Sequence, residues 1–565
     1  MAGFRENYVQ ANHLEYPEKT MFEMVYDMSV KYPNSVAYEF YNRPTTYTAF
    51  VKRIERAARA FLSIGIKEDD RVTICLPNTP QALDCFYAVN RIGAVCNMIH
   101  PQSAQGEITF YLNISKSKII VTVDMFYEKV LEALKEVDHP VKILVIRIQD
   151  ELGPVLGAGY TVKSGRPYLK FPNREGDLLW KNFVQRGNQR IDLPEPKFDK
   201  NKTAVILYSG GTSGFPKGIC LSDLNFNALA IQTVEASGLI VDDELSMLSC
   251  MPVFHGFGLG INIHTMLSHG CRCILMPAFN IKNYTKMLTK KHPNMIAGVP
   301  TIFEALQHMP DLEGQDLSFL RGVFSGGDSL SVELKKKVDA FLEDHGSPVP
   351  VRQGYGLTES VTACCLTPPF TSREGSIGIP FPDTIFRVVK PDTLEDLPLG
   401  EEGELIISGP SIMLGYLDNP EETAKTLEKD AEGVTWLHTG DSGKMDADGY
   451  VYFSQRIKRM IITNGYNVYP GQLENVIDSI DEVAYSCVIG IKDAHRMQKV
   501  KAFVVLMDGV EGTDELKEKI LNELSKKIAK YALPKDIEFR SELPKTLVGK
   551  VAFRILEEEE NAKLQ

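Results

Sequence analysis

"TAVILYSGGTSGFPKG", residues 203–218, passes from an apolar run directly into a loop of glycines and hydroxyls that ends in a lysine. The first half, Thr203 to Ser209, has the composition of a buried strand. The second half carries Gly210, Gly211, Thr212, Ser213, Gly214 and Lys217. Glycines let backbone N–H groups close around an anion, and Lys217 adds a positive charge. The P-loop spacing G-x-x-x-x-G-K-[ST] is not met, because Lys217 precedes Gly218 and no Ser or Thr follows it. A Gly/Ser/Thr cluster taken alone is more often a turn than a phosphate site, so its surroundings must decide. A loop at the carboxyl end of a strand is where open α/β sheets bind ligands.

The surroundings repeat the strand-then-helix texture. From residue 20 to about 150, helical patterns alternate with "RVTICLP" (71–77), "KIIVTVD" (118–124) and "KILVIRI" (142–148), and a helix-like stretch runs from Gln81 to Ile92. Alternation resumes with "SMLSCMP" (246–252), "MIAGVP" (295–300) and "GVFSGG" (322–327). This predicts α/β layers with largely parallel strands. Residues 150–200 hold no sustained period and read as a long loop or insert. After about residue 459 the texture changes. "AYSCVIGIKD" and "KAFVVLMDG" read as two short strands, followed by a helix with Leu516, Ile520, Leu521, Leu524, Ile528 and Tyr531 on one face. The expected division is a large N-terminal domain, 1–457, and a small α+β domain, 458–565.

Composition narrows the function. At 565 residues the chain exceeds a single core. A net charge of −12 without a basic block argues against nucleic acid as partner. The ten cysteines form no CxxC pair and the eleven histidines no HExxH, so buried thiols in a reducing compartment are expected rather than disulfides or a structural transition metal. "MAGFRENYVQANHLEYPEK" has no apolar core of a secretory signal, and no run approaches the roughly 18 apolar residues that span a bilayer. The expected location is cytoplasmic, with peripheral membrane contact left open.

Further along, "QGYGLTES" (353–360) sets Thr358 and Glu359 after a Tyr–Gly turn, a hydroxyl for phosphate beside a carboxylate for a hard cation. "LHTGDSGKMDADGYVYF" (437–453) holds Asp441 in a Gly-flanked turn suited to the two hydroxyls of a ribose, and its "DADG" reads as a plain hairpin turn. "SQRIKRMIITNGYNVYPGQLE" (454–474) places Arg456 and Lys458 at the domain boundary. "LPKTLVGKVAFR" (543–554) puts Lys550 after a glycine, a position that in isolation reads as a solvated surface charge.

Together the motifs resemble the adenylate-forming superfamily: acyl-CoA synthetases, adenylation domains of peptide synthetases and beetle luciferases. The family's YSGTTGxPKG is matched by "YSGGTSGFPKG", its YGxTE by "YGLTE", its GELxIxG by "GELIISG" (403–409) and its TGD by "TGD" (439–441). "DRVTICLPNTPQALDCFYAVNRIGAVCNMIHP" (70–101) extends the similarity upstream, so it covers nearly the whole chain. The resemblance implies a fold of layered α/β subdomains with a small α+β domain that rotates. It implies ATP, Mg²⁺ and coenzyme A as the small molecules used. Ser209 to Lys217 would form a mobile loop orienting the β- and γ-phosphates. Ser325, Gly326, Gly327, Asp328 and Tyr355 would flank the adenine, with Gly356 in the same nucleotide set. Thr358 would meet phosphate, Glu359 the Mg²⁺, and Asp441 with Arg456 the ribose. Lys458 would be the hinge, Lys550 the catalytic lysine at the carboxylate and α-phosphate, and Gly465 and Tyr466 of "NGYN" would border the pantetheine tunnel. In "MPVFHGFGLG" (251–260), Phe254, His255 and Gly256 would belong to the acyl pocket, where amino-acid-activating relatives commonly carry Asp.

That substitution favours an unsubstituted acid, fatty (medium or long chain) or aryl. A stand-alone chain favours CoA as acceptor; a carrier protein stays open, luciferase-type oxidation ranks lower, and a non-catalytic nucleotide-binding scaffold ranks last. The chain departs from the family in "SQRIK", which keeps Arg456 and Lys458 but changes the leading residue, and in His438 and Ser442 around TGD. "PKTLVGK" (544–550) also resembles a segment acetylated on its lysine in some bacterial relatives, and that modification would remove the charge.

Overall fold

Strands buried on both faces need no alternation, and the N-terminal part follows that rule: Ile119–Val123 is buried at every position and Lys142–Ile146 at all but the first. The computed structural model describes residues 13–162, 174–209, 216–459, 461–463, 466–468, 470–493, 497–528, 530–545 and 551–563. Among these residues the strands form four sheets, two of them large and mainly parallel. One runs in the order Gly415–Tyr416, Lys217–Leu221, Val205–Ser209, Val95–Met98, Arg71–Cys75, Ile119–Val123, Lys142–Ile146, Leu178–Leu179. The other contains Val351–Tyr355, Gly322–Ser325, Met295–Gly298, Ser246–Ser249, Arg272–Leu275 and Val36–Phe40 in consecutive parallel register. Antiparallel strands close its two edges.

Two expectations need correction. Residues 150–200 are not a bare loop: Pro154–Tyr160 and Trp180–Arg186 are helices, and Leu178–Leu179 extends the eight-stranded sheet. Trp180 and Phe183 are buried, with Phe183 edge-on to Phe61 at 4.8 Å. A helix of seven residues is too short to show a period in sequence. The two "short" C-terminal strands are instead one long antiparallel hairpin, Val483–Asp493 with Met497–Leu506. An antiparallel sheet of Ile385–Val389, Gly403–Ser408, Thr435–Met445, Leu427–Lys429 and Val451–Arg456 was not foreseen. Its alternation is masked because both faces are largely covered, as in Gly403–Ser408.

The core divides along the chain. One apolar cluster runs from Met21 to Val451 and another from Ile461 to Ile537. Within the first, the helix Asp223–Ser237 starts on a capping box in which Ser222 and Asn225 satisfy each other's backbone N–H groups. It packs against Phe257–Thr265, a nine-residue π-helix. Wide π turns are rare outside functional regions. The end of Asp223–Ser237 is held from the neighbouring strand: Arg352 donates to the carbonyls of Ala236, Ser237 and Thr367 at 2.9, 2.6 and 2.8 Å. A cation at a helix C-terminus complements the dipole and satisfies its orphan carbonyls. Arg352→Met strips these carbonyls of their donors, and the expected loss is about 2–4 kcal/mol, read as a shift of the urea midpoint of the large domain.

Candidate active site

The parallel strands Gly322–Ser325 and Val351–Tyr355 deliver their carboxyl ends side by side, with Ser325 paired to Gln353. Beyond them lie Gly326, Gly327 and Asp328 on one side and Gly356 on the other. Gly327 takes φ +80°, which a side chain would strain. At the end of its strand Tyr355 donates its hydroxyl to Asp441 Oδ2 at 2.6 Å. Asp441 lies in the strand Thr435–Met445, opposite Arg456 in register, and not in a turn as the flanking glycines suggested. The glycine serves a local kink instead: Gly440 has φ +67° inside the irregular stretch His438–Ser442 of the ladder with Gly403–Ser408. Arg456 Nε sits 3.0 Å from Asp441 Oδ1 and Nη1 donates to Thr439 O at 3.2 Å. Asp441 is 1 % exposed, so these partners are what allow the charge to be buried. Burial, and after it the neighbouring Asp441, push the Tyr355 hydroxyl well above the usual phenol range, so Tyr355 acts as a donor.

Thr358 and Glu359 occupy a single 3-10 turn, Thr358–Ser360. Val361 follows at φ 63°, ψ −54°, and Thr362 N donates to Ser360 O at 2.7 Å, a γ-turn of the rare positive-φ kind. A β-branched residue there costs on the order of 1–3 kcal/mol and persists only where packing over-determines it. The packing is visible: Val361 is fully buried, and a Cβ placed on Gly256 would lie 1.7 Å from its carbonyl oxygen. Glu359 is further fixed by Tyr416, whose hydroxyl donates to Oε1 at 2.9 Å, and by Met413 N, which donates to its carbonyl. Lys217 opens the strand Lys217–Leu221 opposite Ser209; its ammonium is ion-paired with Glu422 and lies 4.9 Å above the Tyr416 ring.

A cavity of about 800 Å³, counting its opening to solvent, begins at these strand ends. Ser325, Gly326, Gly327, Tyr355 and Gly356 form one wall, and Phe257, Ile261, Met247, Met295, Phe324 and Val241 line its depth. Among the described residues no charged one lines it. Phe254 and His255 do not line it either: Phe254 packs on His100 with ring centroids 4.3 Å apart, and His255 Nδ1 accepts from Phe257 N at 3.2 Å. Gly256 contributes close approach to Val361 rather than cavity wall. The lining starts one residue later, where the π-helix begins.

A family profile described as "AMP-binding enzyme" matches residues 27–417, and one described as "AMP-binding enzyme C-terminal domain" matches 472–550. The chain belongs to the AMP-binding enzyme family. It is 31% identical over 559 residues to a long-chain-fatty-acid–CoA ligase of Bacillus subtilis, covering 97% of this chain and 96% of the relative. It is also 31% identical over 517 residues to the probable 4-coumarate–CoA ligase 3 of Dictyostelium discoideum, covering 90% of this chain and 89% of that one. The crystal structure of the anthranilate CoA ligase AuaEII in complex with anthranoyl-AMP superposes with a TM-score of 0.84 at 23% identity, over 97% of this chain and 98% of that one. ATP-bound MatB from Rhodopseudomonas palustris gives 0.81 at 24%, over 97% and 99%. The structural likeness establishes the fold: a large α/β N-terminal part and a small C-terminal domain.

In this AMP-binding enzyme several expected site residues fall outside the described residues: Gly210, Gly211, Thr212, Ser213 and Gly214 of the loop, Gly465 and Lys550. The backbone of Lys458 lies in the 3-10 turn Ile457–Arg459, and Tyr466 begins the strand Tyr466–Val468. Next to Lys458, Arg459 is tied to the small domain through an ion pair with Glu474, a bond to Val488 O and the face of Phe553. Among the described residues no group of three or more His, Cys, Asp or Glu could enclose a metal. Glu359 as a lone hard donor suits Mg²⁺, which takes one or two carboxylates and completes its shell with water and substrate phosphates. Val361, Tyr416 and Glu422 were missed from sequence. None has a side chain that announces chemistry, and only "NPEE" at 419–422, a helix start with an early acidic turn, was there to be read.

His438 sits two residues behind Gly440. Its ring nitrogens lie 3.0 Å from Glu404 and 3.2 Å from Glu428, and Glu404 also accepts from Gly440 N. The hydrogen bond with Glu404, opposed by burial and reinforced by the carboxylate charges, raises the ring above its ordinary value. A raised folded-state value means the pairing contributes fully below about pH 6.5 and is lost as pH rises through the folded value. His438→Gln should therefore melt below the wild type at about pH 6, and the gap should close as the pH is taken toward about 9 in thermal-melt series.

Proposed function

We propose that the protein uses ATP to convert a fatty acid of medium or long chain into an acyl-adenylate, releasing pyrophosphate, and then transfers the acyl group to coenzyme A. The observation that carries this reading is the apolar cavity that opens beside Ser325–Gly327 and Tyr355–Gly356. Its depth follows from strand register. Ser325 pairs with Gly298 at the cavity's upper wall, and Gly322 pairs with Met295 lower down. Three residues of strand separate the two levels, about 10 Å at the usual rise per residue. That is more depth than one aromatic ring needs. Three methionines, Met247, Met266 and Met295, line it, and such side chains adapt to a chain of methylenes.

The chemistry assigns roles to the other residues. A carboxylate is a poor acyl donor because its leaving group would be oxide. Its oxygen attacks the α-phosphorus, the bond to the bridging oxygen of pyrophosphate breaks, and the acyl group becomes a mixed anhydride with AMP as leaving group. Bringing an anion against a polyanion requires positive charge at the reacting atoms. Lys550, carried by the small domain, supplies it at the α-phosphate, and Lys217 orients the outer phosphates. Thr358 donates to phosphate, and Glu359 holds Mg²⁺, which supplies further charge neutralisation when bound. Asp441, buried, and its half-exposed partner Arg456 receive the ribose, with Tyr355 and the glycine turn at 326–327 against the adenine. Rotation about Lys458 then withdraws Lys550, shields the anhydride from water and brings Gly465 and Tyr466 to the incoming thiol. A domain division at 457/458 and a cytoplasmic location complete the proposal; among the described residues no helix is long and apolar enough to cross a membrane.

Two measurements test it. A panel of fatty and aryl acids with ATP, Mg²⁺ and CoA, read by product mass, should give fatty acyl-CoA and AMP, and Met295→Trp should shift the preference to shorter acids. An aryl-CoA product alone, or adenylate without a CoA thioester, would transfer the assignment to an aryl-acid ligase or a carrier-loading enzyme. Lys550→Ala should lose adenylation by about 10²–10³-fold while keeping most thioester formation from supplied acyl-adenylate, and equal loss of both steps would contradict its role.

A further inference from the structure

"GYLDNPEET", residues 415–423, lies outside every motif that pointed to the function. Its first two residues pair antiparallel with the strand that Lys217 opens, Gly415 to Cys220 and Tyr416 to Ile219, and Leu417 N donates to Gly218 O at 2.7 Å. The chain then turns at Asn419, whose side chain accepts from Glu422 N at 3.1 Å, and enters the helix Pro420–Thr426. That short detour brings Glu422 onto the Lys217 ammonium and slides the Tyr416 ring beneath it at 4.9 Å. The pair is shielded, with side chains 19% and 29% exposed. The same Tyr416 reaches across to Glu359 Oε1 with its hydroxyl, at 2.9 Å. One tyrosine thus touches both the cation and the carboxylate assigned to the phosphates and their metal.

We propose that Glu422 and Tyr416 are positioning residues of the nucleotide site: Glu422 holds the Lys217 ammonium while no polyphosphate is present, and Tyr416 fixes the direction of Lys217 and Glu359 together. This rests on the reading of Lys217 as the residue that orients the β- and γ-phosphates. One ammonium cannot serve Glu422 and a phosphate equally. A polyphosphate carries more charge than one carboxylate and displaces it. When pyrophosphate leaves, Glu422 is tethered close by at high effective concentration and takes the lysine back. The exchange weakens ATP binding and speeds release of the leaving group. Tyr416 does not take part in the exchange; its ring stays under the lysine and its hydroxyl keeps one Glu359 oxygen engaged, so the other faces a fixed direction.

The test is equilibrium binding of ATP to the full chain, with AMP as the control because it lacks the outer phosphates, with and without Mg²⁺. Glu422→Gln should bind ATP about twofold to fivefold tighter, the gain expected from removing a partly exposed competing pair, and bind AMP as the wild type does. Glu422→Ala must move in the same direction. Tyr416→Phe, which keeps the ring, should leave AMP and metal-free ATP binding unchanged and raise the Mg²⁺ concentration needed for tight ATP binding by about threefold, a fraction of what one hydrogen bond to a carboxylate contributes. Unchanged or weaker ATP binding in Glu422→Gln, or equal shifts for ATP and AMP, overturns the role of Glu422. An unchanged Mg²⁺ requirement in Tyr416→Phe overturns that of Tyr416. A wild-type chain that binds neither nucleotide overturns the functional reading itself, before any variant is compared.

Discussion

The buried carboxylate of Asp441 is the constraint around which the site is arranged. A charge at 1 % exposure survives only with partners in hydrogen-bond reach, and here those partners come from two other strands. Tyr355 arrives from the mainly parallel nine-stranded sheet, and Arg456 from the strand next to Asp441. The requirement therefore locks the antiparallel sheet onto the edge of the parallel one, and it does so at the carboxyl ends of Gly322–Ser325 and Val351–Tyr355. Removing Arg456 would leave the buried charge without its counter-ion, and removing the Tyr355 hydroxyl would leave Oδ2 without its donor. Below it, the shared boundary of Asp223–Ser237 and the π-helix gives the cavity a wall of backbone turns rather than of charged side chains.

The γ-turn at Val361 plays the complementary part. It sits between Thr358–Glu359 and the start of the π-helix, and its carbonyl oxygen occupies the space a side chain at position 256 would need. Two uncommon backbone conformations in contact leave little freedom for either to relax alone. The cavity wall and the residues assigned to phosphate and metal are thereby held as one piece.

Much of this was legible from residues. The strands Arg71–Cys75, Ile119–Val123, Lys142–Ile146 and Val205–Ser209 coincide with apolar runs read directly from the sequence, because a strand buried on both faces writes itself as an uninterrupted apolar run. Family membership was legible too, since Gly-rich and charged motifs keep their wording where side chains meet a ligand. What failed to show was geometry without a chemical signature. Asp441 looked like a turn residue because its flanking glycines serve a ladder break. Phe254 and His255 looked like cavity residues because they adjoin the π-helix, whose wide turns shift the lining to Phe257 and Ile261. Tyr416 and Glu422 carry no motif at all; they acquire meaning only when the fold lays residues 415–422 beside Lys217.

The buried cysteines have a consequence of their own. All ten are buried, and Cys365 lines the cavity itself, next to Cys364, whose thiol donates to Tyr355 O. Burial above all pushes both thiols well above their ordinary range, which keeps them protonated. A thiol is a nucleophile only as thiolate. Neither cysteine therefore presents a thiolate to an acylating group that enters the cavity.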